Sequence, residues 1–305
     1  MNTVKKAVIP AAGWGTRNLP ATKAQPKEML PIVDKPLIEL VVEELTESGI
    51  NDILMITGKG KNSIEDHFGP NPELERHLER KKDKKNLELV RKSTKTGIHY
   101  IRQHEQRGLG DAVKYAQSFV NGEPFMLLLG DAFFTADTPV TKQMITKYEK
   151  IGRPLIALEE VGEEKLSAYG IAKVEPVKGD FLITDVIEKP GIKKAEKLKL
   201  SHNGKYYAII GWYLLNPSIF HYLEDVGEDA KGEIQLSDAL SAMTKDEEEY
   251  VYGMVCKGRR YDIGTKAGYF EAFLHAGLRH PEIGQYAKDE ILKLADEIRE
   301  KRSGE

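Results

Sequence analysis

A chain of 305 residues, 40% hydrophobic and 30% charged, is long enough to bury a large core as one sizeable α/β domain or two smaller ones. Its formal net charge of −3 argues against nucleic acid as a partner, and its single cysteine, Cys256, rules out a disulfide framework or a cysteine-built zinc site within one chain. No apolar run approaches the ~20 residues of a membrane span, and Met1-Asn-Thr-Val-Lys-Lys6 runs directly into a strand pattern without a signal peptide, so a soluble, cytoplasmic protein with no membrane partner is expected.

Apolar, β-branched runs at 7–10, 53–57, 98–101, 125–129 and 154–158 read as strands, with helical patterns between them at 37–48, 62–68, 109–119 and 141–150. This alternation predicts βαβ units and a Rossmann-like α/β fold: a mixed, mainly parallel sheet flanked by helices. Ligands of such sheets sit at the carboxyl ends of the strands. The loop from Ala11 to Arg17 and the turn Gly130-Asp131 should therefore share one edge. The charged stretch 73–92 reads as a surface helix and a candidate lid. Beyond about residue 160 the strands come closer together, at 170–175, 182–188, 206–215 and 250–255, interrupted by a loop around 190–205. Cys256 falls in a strand pattern and is expected to be a core thiol. The end of the chain, 265–303, is helical: Tyr269, Phe270, Phe273 and Leu274 form one apolar stripe, and 284–301 forms a second, charged helix.

The most informative stretch is the first loop. A short strand (Lys6 to Pro10) enters a glycine turn containing Ala11, Ala12, Gly13 and Gly15, followed by two cations, Arg17 and Lys27. Glycines that bare backbone N–H groups beside Arg and Lys suit a polyphosphate. A P-loop is not present, because Gly58-Lys59-Gly60-Lys61 has neither the glycine spacing nor the Ser or Thr. A dinucleotide fingerprint would need a third glycine where Asn18 stands and a helix opening at the turn. Prolines at 20, 26, 31 and 36 deny that helix more than about one turn. A long, proline-braced loop that wraps a nucleoside triphosphate accounts for both the glycines and the prolines.

Ala7-Val-Ile-Pro-Ala-Ala-Gly-Trp-Gly-Thr-Arg17 and Pro20-Ala-Thr-Lys-Ala-Gln-Pro-Lys-Glu-Met-Leu-Pro-Ile-Val-Asp-Lys-Pro36 resemble the signature of bacterial-type UTP–glucose-1-phosphate uridylyltransferases, in the sugar nucleotidyltransferase superfamily. The resemblance continues through Gln106-Arg-Gly-Leu-Gly-Asp-Ala112, Leu129-Gly-Asp131, Tyr169-Gly170, Ile187-Glu-Lys-Pro190, Gly232-Glu-Ile-Gln-Leu-Ser-Asp238 and Tyr261-Asp-Ile-Gly-Thr-Lys266, in the family's order. It implies a nucleotidyltransferase core over 1–264, with a nucleotide side to about 160 and a sugar side from about 161. Residues 265–305 would form a C-terminal helical segment and a candidate contact of a homo-oligomer, dimer or tetramer.

The implied reaction is attack of a glucose 1-phosphate oxygen on the α-phosphorus of UTP, releasing pyrophosphate. An anion approaching an anion meets a largely electrostatic barrier, which cations and Mg2+ lower. Arg17 would hold the departing β,γ-phosphates, and Lys27 would neutralise the α-phosphate. Asp131 is the expected Mg2+ ligand and Asp262 the candidate second one. Gln106 and the backbone of Gly110 would select the base, with Glu28 adding a contact. Glu188 would bind glucose hydroxyls, Lys189 would hold the sugar phosphate, and Gly170 and Gly211 would lie against the pyranose ring. Strand neighbours point to opposite faces, so Glu188 and Lys189 should not pair with each other, and reaching one ligand together requires a strand end or bulge. Asp111 stands where the family often carries His, Trp14 and Gln25 are atypical, and Ala132 replaces a second acid found in some relatives. Alternatives are a relative using dTTP or another sugar phosphate such as N-acetylglucosamine 1-phosphate, a catalytically idle sugar-nucleotide sensor, and, disfavoured by the prolines, a dehydrogenase.

Overall fold

The computed structural model of the protein describes residues 4–177 and 179–303. In chain order its strands are β1 (Lys6–Pro10), β2 (Pro31–Ile32), β3 (Lys35–Pro36), β4 (Asp52–Thr57), β5 (Gly97–Arg102), β6 (Phe125–Leu128) and β7 (Ala132–Thr135). They continue with β8 (Leu155–Val161), β9 (Ile171–Val177), β10 (Asp180–Ile187), β11 (Tyr206–Leu215), β12 (Val251–Val255) and β13 (Arg259–Asp262). Nine of them form one sheet in the order β5-β4-β1-β6-β11-β8-β12-β10-β9. Strands β5, β4, β1 and β6 are mutually parallel, as the alternation predicts. From β11 onward the sheet is mixed, with β11 antiparallel to both β6 and β8 and with β12 parallel to β8. Strand β9 also pairs with the start of β11, so the second half curls back on itself.

The parallel strands are near-continuous apolar runs because both faces are covered. Val8 faces one core with Leu54, Ile56 and Leu127, beneath the helices Leu109–Lys114, Ile219–Asp225 and Leu236–Met243. Its neighbours Ala7 and Ile9 face the other, with Ile53, Met55 and Leu128, beneath the helices Leu37–Glu47, Asn62–Phe68 and Val140–Ile151. Cys256 packs half-buried at the margin of this second core, where burial pushes its thiol up to about 12.

Three expectations need correction. The stretch 73–92 is not one helix. Lys82 turns left-handed (φ 56°) and separates Pro72–Lys81 from Lys84–Ser93, and Arg91 ties the two together through Glu75 and Glu79 at 2.8 and 2.6 Å. The loop around 190–205 contains a helix, Gly191–Lys197, whose Ala195 is buried against Leu166 and Leu200. The third is an omission: β7 and β13 pair as an antiparallel ribbon outside the large sheet. The helical end of the chain divides into Lys266–Arg279 and Gly284–Ser303. Among the described residues no helix is long and apolar enough to cross a membrane.

Candidate active site

Between β1 and the short β2–β3 pair the chain makes three short 3-10 turns, Thr16–Asn18, Ala21–Lys23 and Lys27–Met29, and the first α-helix begins at Leu37. The prolines thus deny a helix to the glycine turn, as expected. Gly15 is left-handed (φ 68°), and a Cβ there would lie 3.2 Å from Lys27 Cβ and 3.4 Å from Thr22 Cβ. The turn therefore closes directly over the segment that carries Lys27. Thr22 Oγ1 donates to the Gly15 carbonyl at 2.7 Å, and buried Asn18 donates from Nδ2 to the Ile263 carbonyl at 3.0 Å. The first bond braces the loop internally, and the second ties it to the residue that follows β13.

The ribbon also brings the two aspartates together. Asp262 stands opposite Ala132, and the Ile263 N–H donates to the Asp131 carbonyl at 3.1 Å. Lys27 Nζ donates to Asp131 Oδ2 at 2.6 Å. Burial alone would raise the Asp131 pKa, but Lys27, Arg17 and Arg260 together hold it below the usual carboxylate range. Burial likewise opposes the charge on Lys27, yet Asp131 and Glu28 raise its pKa above the ordinary lysine value. Asp262 is held by three donors: Tyr169 Oη at 2.6 Å and Arg260 Nη2 at 3.0 Å to Oδ2, and the Gly264 N–H at 2.8 Å to Oδ1.

Two cavities, of about 490 and 440 Å3, open on this edge of the sheet. The first is lined by Ala12, Gly13, Trp14, Gly15, Glu28 and Gln106, the second by Gly170, Glu188, Lys189, Gly211, Tyr213 and Asp262. Arg17, Lys27, Leu129 and Asp131 line both. Arg17 makes no ion pair among the described residues.

Several sequence-assigned side chains have other occupations. Ala11 is buried behind the first cavity, its N–H donating to the Ile56 carbonyl at 2.8 Å. Glu28 is only 1% exposed and accepts from Lys61 Nζ at 2.8 Å. Burial raises its pKa despite the opposing pull of Lys27 and Lys61. The close approach that Gly110 permits is by the protein itself: its N–H donates to the Ile234 carbonyl at 2.8 Å, and a Cβ there would lie 2.9 Å from that oxygen. Glu188 and Lys189 lie just past the end of β10, as a shared ligand requires, but they do form an ion pair, at 2.7 Å. The correction is local geometry. Lys189 is left-handed (φ 41°), so the opposite-face rule of an extended strand does not apply.

Among the described residues the Gln106 side chain reaches only the Ala12 carbonyl, at 3.5 Å. A second amide on the same wall, Gln103, is 3% exposed and was passed over, although it directly follows β5 at the ligand edge of the sheet. Arg260 was also missed. It pairs with Asp262 and with Glu159, stacks over Tyr169 at 4.9 Å, and leaves its Nε buried with no hydrogen-bond partner among the described residues. Its signal was the alternation in Arg259-Arg-Tyr-Asp262.

The sequence pattern of the nucleotidyl transferase family matches residues 6–277, and the chain belongs to that family. Within it, the chain is 44% identical to the UTP–glucose-1-phosphate uridylyltransferase of Staphylococcus epidermidis over 96% of its own length and 99% of that protein's. It is 44% identical to the one from Streptococcus pneumoniae over 98% of each. Among solved structures, a UTP-bound UDP-glucose pyrophosphorylase from Acinetobacter baumannii superposes with a TM-score of 0.85 at 35% identity, covering 95% of this chain and 99% of that one. A UDP-glucose pyrophosphorylase complexed with UDP-glucose gives 0.76 at 36% identity, over 88% and 97%.

Proposed function

We propose that the chain transfers the uridylyl group of UTP to glucose 1-phosphate, giving UDP-glucose and pyrophosphate. The observation that carries this reading is the junction of two cavities at Lys27 and Asp131, with Arg17 on both walls. One cavity takes the nucleotide and the other the sugar phosphate, so their reacting ends meet between fixed charges. A sugar-phosphate oxygen forms a bond to the α-phosphorus as the bond to the leaving pyrophosphate breaks. Lys27 neutralises the phosphorus under attack, and Arg17, unpaired among the described residues, holds what departs. Lys189 meets the sugar phosphate and Glu188 the hydroxyls. Their mutual ion pair must open for both to do so.

Mg2+ accepts one or two carboxylates when phosphate oxygens and waters complete its shell. Asp131 Oδ1 accepts no hydrogen bond among the described residues, and Asp262, whose oxygens accept from Tyr169, Arg260 and the Gly264 N–H, lines the second cavity with it, so the pair offers the one or two carboxylates such an ion takes. No group of three or more His, Cys, Asp or Glu suited to a metal occurs among the described residues. Asp131 and Asp262 would hold the ion, which when bound supplies further neutralisation of the phosphates. A nucleotide-binding half to about residue 160, a sugar-binding half to 264, a cytoplasmic location and self-association through 265–305 belong to the same reading.

The test is pyrophosphate release across UTP, CTP, dTTP and ATP against glucose 1-phosphate, galactose 1-phosphate and N-acetylglucosamine 1-phosphate, with and without Mg2+. UTP with glucose 1-phosphate should be the best pair and should require the metal. No turnover of that pair overturns the reading.

A further inference from the structure

Gln103 is held in a way that the transfer chemistry does not explain. Its backbone N–H donates to the Thr57 carbonyl at 2.9 Å, which fixes the residue at the end of β5. Its side-chain Nε2 donates to Asp111 Oδ2 at 2.7 Å and, more weakly, to the Gly108 carbonyl at 3.4 Å. A carboxylate and a carbonyl only accept, so the amide atom facing them must be the NH2 group. Both amide hydrogens are thereby engaged by the protein. Oε1 accepts no hydrogen bond among the described residues, on a residue that lines the first cavity. Asp111 itself is not on that wall: it sits behind Gln103, in the first turn of the helix Leu109–Lys114.

We propose that Asp111 is a positioning residue that sets base specificity by fixing the polarity of the Gln103 amide. Locked in this sense, Gln103 offers the nucleotide an acceptor and no donor. Uracil presents N3–H, a donor, and matches it. Cytosine presents the N3 lone pair at the same ring position, which would face the Oε1 lone pairs. Without a carboxylate behind it the amide is free to turn over, and the site can present either polarity. Asp111 stands where the family often carries His, so the lock belongs to this chain's own sequence rather than to the shared signature. The inference rests on the nucleotide occupying the first cavity.

The experiment compares kcat/KM for UTP, CTP and dTTP, with glucose 1-phosphate as the second substrate, in the parent enzyme and in Asp111→Asn, Asp111→Ser and Asp111→Glu. Asn keeps the size of Asp111 but can itself donate or accept. Ser is a smaller neutral replacement should Asn impair folding, and Asp111 is only half-buried on a short helix. In both neutral variants the UTP:CTP ratio should fall by about tenfold or more, the scale of one hydrogen bond to a charged group. The UTP:dTTP ratio should stay fixed, because thymine presents the same N3–H. Glu, which restores a carboxylate acceptor, should recover part of the UTP:CTP ratio. An unchanged UTP:CTP ratio, or an equal loss with all three nucleotides, overturns the proposal while leaving the functional reading intact. A parent enzyme inactive with UTP overturns both.

Discussion

At the scale of single residues, charges buried at the cavity walls set the expectations. Lys27→Met removes one of the two cations shared by both cavities and leaves Asp131 without its ion-pair partner. Turnover with UTP and glucose 1-phosphate should fall about 100- to 1000-fold, with much smaller changes in KM. The variant should also change the pH dependence of stability. The folded-state pKa of Lys27 lies above its ordinary 10.5, so its contribution is complete below that value and is lost as pH rises through the raised one. Asp131 is lowered from 3.8, so its contribution is complete above that value and is lost as pH falls through the lowered one. Denaturant midpoints of parent and Lys27→Met should therefore differ most between about pH 5 and 10 and converge toward both extremes. A constant difference from pH 3 to 12 would remove the ion pair from the account. The Glu28–Lys61 pair, 1% and 6% exposed, is a separate case. Lys61→Met strands a buried carboxylate and should cost about 3–5 kcal/mol in urea unfolding. Adding Glu28→Gln should return most of it, since removing both charges also removes the cost of burying them. A double variant no more stable than the single one would show that Lys61 acts through packing alone.

Elements explain which parts of the site could be read from the sequence. The parallel strands were legible because continuous apolar runs between amphipathic helices have few other interpretations, and the edge carrying Ala12–Arg17 and Asp131 follows from that order alone. The proline spacing was equally readable, since the missing N–H and fixed φ act within the loop itself. What escaped depends on tertiary placement or on a single backbone angle. The β7–β13 ribbon is two four-residue strands more than 120 residues apart, too short for a periodic signal. The hold of Asp111 on Gln103 became visible only once the end of β5 and the helix Leu109–Lys114 were placed around it. The Glu188–Lys189 pair depends on one left-handed backbone angle at a charged residue, which sequence does not disclose. Gly211 shows how such an angle is used. It stands at φ 88° where the pairing of β11 with β8 shifts register between Ile209 and Tyr213. A Cβ there would lie 3.0 Å from Leu129, a residue on both cavity walls. Gly211→Ala should destabilise by about 1–3 kcal/mol and raise KM for both substrates. Gly13→Ala, with no atom of the described residues beyond its chain neighbours within 4 Å of the added methyl, should leave the unfolding midpoint unchanged and affect only nucleotide KM. Equal destabilisation by the two substitutions would refute this use of backbone angle.

For the whole molecule, the helices that close the chain bear on its assembly. Gly284–Ser303 carries Ile291, Leu294, Ala295 and Ile298 at the spacing of one helical face, and Leu294 and Ile298 are among the exposed large apolar residues. On the neighbouring helix Lys266–Arg279, Phe270 is 69% exposed and Phe273 is also exposed. Single exposed apolar side chains need no explanation, but an apolar stripe on one helix beside exposed aromatics on the next is what a covered surface looks like when its cover is removed. The two cavities open elsewhere, and none of these side chains lines them. A second copy of the chain meeting this face would bury it without obstructing substrate entry. Light scattering of the full chain at micromolar concentration should therefore give a mass at least twice 34.3 kDa. The double variant Leu294→Glu/Ile298→Glu should shift it toward the single-chain value while kcat with UTP and glucose 1-phosphate stays within about twofold, because the charges are introduced far from Lys27 and Asp131 in the chain and on a face that solvent already reaches. A parent that scatters as one chain would assign the stripe to solvent. An assembled variant that keeps the parent's mass would place the contact on another face. A variant that dissociates and loses turnover would mean that the neighbouring copy supports the site itself, through the packing of Lys266–Arg279 on Leu30, Ile32 and Leu37.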